Sequence, residues 1–175
     1  ETGQVKPALS VESDSLRLVV GVNAHTLEFT DKSSGTNYAP KNPTVAFARV
    51  KKAGKFFEAT TASLTEGRLV LEFGGAGVSA ALKVVGAKHS VTVEVLSVTG
   101  GGVEEFVFAD VSLTLKGAEA EPFAACALAL NLQTNVREVP RATGHLEAIC
   151  YPRFGFAGAK VALIGCPQKE LRRVL

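Results

Sequence analysis

The chain has 175 residues, of which 46% are hydrophobic, enough for one sizeable domain with a real core. Lys and Arg number 19 against 17 Asp and Glu, a net charge of +2, so no electrostatic footprint for nucleic acid exists. No apolar run approaches the ~18 residues of a spanning helix, which argues against membrane insertion.

In chain order the signals are those of strands. Glu1-Thr2-Gly3 reads as the remnant of a secretion vector, because methionine is absent throughout, and residues 4–175 are then a single domain. That remnant points to a secreted or extracytoplasmic protein. Leu16, Leu18 and Val20 alternate with Ser15, Arg17 and Val19; Leu27 and Phe29 alternate with Thr26, Glu28 and Thr30. Period-two patterning predicts a sheet with one buried face. The turn from Asp31 to Thr36 follows, and then a strand is expected over 44–51. Lys52-Ala53-Gly54-Lys55 and Thr65-Glu66-Gly67 read as hairpin turns, with glycine where a positive φ is needed. Further strands are expected over 56–64, 68–73 (Leu69, Leu71 and Phe73 inward), 78–85 and 90–98 (Val91, Val93 and Val95 inward). The stretch 103–115 suits one bent strand or two, with Phe106 and Phe108 on one face and Leu113 and Leu115 in a second run. Strands over 124–132 and 161–166 complete the set. Turn signals every ~8–12 residues and 17 glycines predict an all-β, antiparallel two-sheet β-sandwich. One short C-terminal helix is expected from Pro167, with Leu171, Val174 and Leu175 on one face. The chain ends inside that helix without a cap, which reads as truncation from a longer chain.

The segment Leu16–Tyr38, with its Asp-Lys-x-x-Gly-x-x-Tyr turn at Asp31, Lys32, Gly35 and Tyr38, resembles the opening of galactose-mutarotase-like β-sandwiches. These stand before the catalytic domain in several glycoside hydrolase families. Glu105–Leu113 is similar to their mid-domain aromatic strand, although Ser112 stands where a proline is expected. The run from Tyr151 to Ile164 resembles the closing segment. The resemblance implies a mutarotase-like supersandwich serving as a non-catalytic N-terminal domain of a secreted, glycoside hydrolase-like protein. Its partner would be a C-terminal catalytic domain beyond Leu175, with carbohydrate as a further ligand. A free-standing carbohydrate-binding module and an extracellular structural or adhesion domain are the alternatives. With no Trp and only two Tyr, an aromatic binding platform is poorly supplied.

Candidate chemistry is sparse. His25 starts a strand, His89 lies in a turn, and His145 shares a strand face with Glu147. Tyr151 and Arg153 follow closely. Together His145, Glu147, Tyr151 and Arg153 supply donors, acceptors and an aromatic ring suited to a sugar. Glu104 and Glu105 are adjacent and point to opposite faces; Glu119 and Glu121 sit in a turn, so no glycosidase acid pair is evident. Gly74-Gly75-Ala76-Gly77 lacks the Lys-Ser/Thr of a phosphate cradle and reads as a bend. Catalytic residues, metal and cofactor are therefore all predicted as none. The three cysteines, Cys126, Cys150 and Cys166, form no disulfide framework, and a single Cys150–Cys166 bridge stays open.

Overall fold

A computed structural model describes residues 3–175; the vector-remnant reading of Glu1 and Thr2 lies outside them. The described residues form fourteen strands and end in a single α-helical turn, an all-β sandwich. Strands β1 (Pro7–Glu12), β2 (Leu16–Gly21) and β3 (Thr26–Asp31) make a three-stranded antiparallel sheet. Strands β4 (Arg49–Lys52) and β5 (Lys55–Glu58) join a five-stranded sheet. Strands β6 (Thr61–Thr65), β7 (Arg68–Phe73), β8 (Val78–Gly86) and β9 (Val91–Thr99) belong to a six-stranded sheet. The remaining strands are β10 (Val103–Ser112), β11 (Phe123–Ala129), β12 (Asn135–Val136), β13 (His145–Cys150) and β14 (Lys160–Pro167). The five-stranded order is β12-β13-β10-β4-β5 and the six-stranded order is β11-β14-β9-β8-β7-β6.

The inward residues expected from period two are inward except Leu27: a register shift between Val19 and Val20 of β2 leaves it half-buried and buries Thr26 in its place. Leu16, Leu18, Val20, Phe29, Leu69, Leu71, Phe73, Val91, Val93 and Val95 are all buried in one continuous core. Aromatic side chains join the two larger sheets: Phe73 of β7 meets Phe106 of β10 edge-on, with centroids 5.8 Å apart. Both tight hairpins have positive φ at two successive residues, Ala53-Gly54 and Glu66-Gly67, matching the twist of the flanking strands. The stretch expected as a strand over 44–51 pairs only from Arg49. Ala46, Phe47 and Ala48 are buried but irregular: the Phe47 amide donates to Ala24, and its carbonyl accepts from Asp110. At the other end β14 runs on through Pro167, which lies opposite Phe123, so the final turns begin one residue later. A 3-10 turn over Gln168–Glu170 leads into α1 (Leu171–Val174).

The Asp31 turn is held by its own side chains. The Asp31 carboxylate accepts from the Ser33 amide at 2.9 Å, the Ser33 hydroxyl at 2.8 Å and the Ser34 hydroxyl at 2.7 Å. Gly35 takes φ +73°, and Tyr38 stacks on Phe123 of the six-stranded sheet at 5.2 Å. Burial pushes the Asp31 carboxyl up, but the bonds from Ser34 and Ser33 outweigh it and leave it below the ordinary carboxylate value. Its folded value is thus lower than its unfolded one. The stabilisation is complete above the unfolded value of about 4 and is lost as the pH falls through the folded value. Asp31→Ala is expected to cost about 1 kcal/mol near neutrality. The gap between variant and parent should close in acid, as checked by urea denaturation at several pH values; a gap independent of pH would contradict this.

Candidate functional site

The site is built on β10, the central strand of the five-stranded sheet, flanked by β13 and β4. Its register places Asp110 directly opposite Glu147 and Ser112 opposite His145. A bulge between Val107 and Ala109 makes this possible. Before the bulge Phe106 pairs with Cys150; after it Ala109 pairs with Ala148 and Val111 with Leu146, all of them core residues. The extra residue, Phe108, shifts the alternation by one and moves Asp110 from the Phe106 face to the face of His145 and Glu147.

Two carboxylates facing each other across a strand pair repel. Arg49 of β4 resolves this: its Nη1 donates to Asp110 Oδ2, and its Nη2 donates to Glu147 Oε2 at 2.9 Å. The planar guanidinium can serve both at once, and it also lies over the Phe56 ring of β5, 5.2 Å from the centroid. His145 Nε2 lies 2.6 Å from Asp110 Oδ1, and Arg137 Nη1 lies 2.9 Å from His145 Nδ1. A guanidinium only donates, so Nδ1 accepts, and Nε2 carries the hydrogen toward Asp110. Asp110 and Glu147 are buried, and the Arg49 side chain is 24% exposed. The result is a network in which the two buried carboxylates are compensated by Arg49.

The cavity over this network, lined by residues that include Arg137, Thr143, His145 and Glu147, measures about 10 Å³, no more than a single water requires. One ligand atom each from Asp110, His145 and Glu147 lies within 4.8 Å of the others, a spacing that a divalent cation could span. The donor set does not fit such an ion, because Arg49 already occupies an oxygen of each carboxylate with a positive charge. Asp110 is committed to Arg49 and His145, and Glu147 to Arg49.

Of the residues expected from sequence to meet a sugar, the structure brings His145 and Glu147 together in this network. Tyr151 and Arg153 lie beyond the opposite end of β13; at ~3.3 Å per residue, six residues of strand separate His145 from Tyr151 by roughly 20 Å. Tyr151 precedes a 3-10 turn over Pro152–Phe154, and Arg153 sits over the Phe154 ring at 4.6 Å. Arg49 and Asp110 were not anticipated. Their sequence signal was a charge between apolar neighbours: Arg49 between Ala48 and Val50, Asp110 between Ala109 and Val111. His25 is half-buried just before β3, and His89 is exposed in a bend. Glu121 accepts from the Lys116 and Ala118 amides and so fastens its own turn. All three cysteines are free and buried, which answers the open question of the Cys150–Cys166 bridge. Burial pushes the Cys150 thiol up to about 12 and the Cys166 thiol up to about 11, so neither is a ready nucleophile near neutrality.

Among the described residues no helix is long and apolar enough to cross a membrane. Compared with known proteins, the chain matches no protein-family model and no curated protein.

Proposed function

We propose that this chain is a non-catalytic β-sandwich domain of a secreted carbohydrate-active protein, of the galactose-mutarotase-like kind, which supports a separate catalytic domain. The observation that carries the non-catalytic part is the bridging of Asp110 and Glu147 by Arg49, which engages both carboxylates at once. The supporting role draws on the sequence resemblance and on apolar side chains in two tied loops. Leu132 and Phe154 are strongly exposed, and the Gln133 side-chain amide joins their loops by donating to the Gly155 and Ala157 carbonyls at 3.0 Å. Exposed apolar groups grouped at one end of a sandwich suit contact with another domain.

The purified chain is expected to show no turnover of a panel of nitrophenyl glycosides and no acceleration of sugar anomerisation in polarimetry. Activity above a heat-treated control that disappears in Glu147→Gln would overturn the reading.

A further inference from the structure

Residues 137–143 run as an irregular strap from the end of β12 to the start of β13. Both ends are fastened. Asn135 and Val136 pair with Ile149 and Ala148 ahead of it. At the far end the Thr143 amide donates to the Ala125 carbonyl at 2.9 Å, and Ala142 packs on the small cluster of Ala124, Cys126 and Ile164. The middle is held differently. The Arg141–Glu138 ion pair, at 2.6 Å, lies within the strap, and Val139 is 76% exposed. The tie to the polar network is Arg137, whose Nη1 donates to His145 Nδ1 at 2.9 Å. That bond exists only while His145 is neutral, because a protonated imidazole carries a hydrogen on both nitrogens and keeps no acceptor.

Charged groups face the ring from several elements. Asp110 of β10 lies 2.6 Å from Nε2, and Glu147 of β13 lies 4.0 Å from it. Arg49 of β4 bridges both carboxylates. Arg137, Glu138 and Arg141 of the strap line the small cavity beside the ring. The His145 side chain is 31% exposed, so water can deliver a proton to it. A proton added at Nδ1 leaves the Nε2 bond to Asp110 intact. At Nδ1 the same proton sets an N–H against a guanidinium that can only donate, with two like charges in contact. Asp110 is buried and held by Arg49, whereas Arg137 is exposed on an irregular stretch, so Arg137 is the partner that yields. We propose that Arg137 and His145 form an acid-released latch: as the ring takes up a proton, Arg137 swings away, the middle of the strap comes free, and the cavity of about 10 Å³ over Glu147 opens. Histidine is the side chain that ordinarily changes charge between about pH 5 and pH 8. The latch goes beyond the accessory-domain reading, and glycoside turnover would sink that reading and leave the latch standing.

The test is backbone nitrogen-15 relaxation of the whole chain at about pH 8 and about pH 5. At the higher pH Glu138, Val139 and Arg141 are expected to be ordered, with order parameters near about 0.85. At the lower pH they should fall below about 0.6, while Val136 and Thr143 at the fastened ends stay high. The Asp31 turn is the internal control: its carboxyl lies below the ordinary carboxylate value, so the turn should not loosen over this interval. Arg137→Ala, a change at an exposed side chain, should free the strap at both pH values. His145→Gln keeps a donor and an acceptor but takes up no proton, so it should make the strap independent of pH. A parent strap that is equally ordered, or equally mobile, at the two pH values would overturn the proposal. So would an Arg137→Ala strap as ordered as the parent's at the higher pH, or a His145→Gln chain that keeps the parent's response. Should His145→Gln fail to fold, the parent and Arg137→Ala decide between them.

Discussion

Arg49→Met is expected to destabilise the domain by about 3 kcal/mol, because it leaves two buried carboxylates facing each other without their shared cation. The methionine retains much of the apolar stem, so the loss reports the charge and not the packing. For a chain of this length the midpoint of thermal unfolding should fall by roughly 6–12 °C. Arg49→Lys should recover only part of the loss, since an ammonium cannot present the fork that reaches Asp110 Oδ2 and Glu147 Oε2 together. The triple variant Arg49→Met, Asp110→Asn, Glu147→Gln should regain most of it, because the repulsion disappears with both charges. This non-additivity is the signature of one network and not of three separate contacts. A single-variant loss below about 1 kcal/mol, or a triple variant worse than the single, would mean that water already screens the pair.

Gly144→Ala is expected to cost a similar amount, about 3 kcal/mol, through overpacking. A Cβ at Gly144 would lie 1.9 Å from the Leu115 carbonyl oxygen, a backbone atom that cannot turn aside. The Gly144 carbonyl also accepts the Leu113 amide at 2.7 Å, so relief by moving the strand apart would break this bond. The damage should reach the polar network, since His145 is the next residue and its ring must keep its 2.6 Å contact with Asp110. A perturbed His145 ring signal in NMR, together with a lowered midpoint, is the expected pair of results. Gly35→Ala is the control: open space surrounds it, so only the strain of its φ of +73° applies, and His145 should be untouched. Equal effects of the two substitutions on the His145 ring would refute the close-approach argument.

The sheet was legible where one face is buried and the other wet. Leu69, Leu71 and Phe73 against Val70 and Glu72 leave one register that hides the larger side chains, and that register is observed. The stretch 103–115 was read as one bent strand or two, from Phe106 and Phe108 on even positions and Leu113 and Leu115, which lie past the end of β10, on odd ones. That switch is what a bulge writes into a sequence. The stretch ahead of Arg49 misled because the burial of Ala46, Phe47 and Ala48 without strand pairing leaves the same apolar trace as a strand. The network itself was half legible. His145 and Glu147 share a strand and could be grouped by alternation. Arg49 and Asp110 join them only through the pairing of β4, β10 and β13, across sequence separations of 98 and 61 residues for the two Arg49 bonds. Proximity along the chain suggested Tyr151 and Arg153 in their place, but an extended strand carries residues apart about twice as fast as a helix does.

The extra residue at Phe108 has a consequence for how this segment tolerates changes of length. Deleting one residue from β10 near the bulge would restore unbroken alternation and turn every following side chain over. Asp110 would be driven toward the apolar layer, while Ala109 and Val111 would face the polar groups of β13. A deletion of equal size in the exposed hairpin turn at Ala53-Gly54 would alter only a turn. In a library of single-residue deletions, folded clones should therefore vanish across 106–111 and persist around 53–54. The bulge thus keeps count along this strand, holding one carboxylate beside its cation.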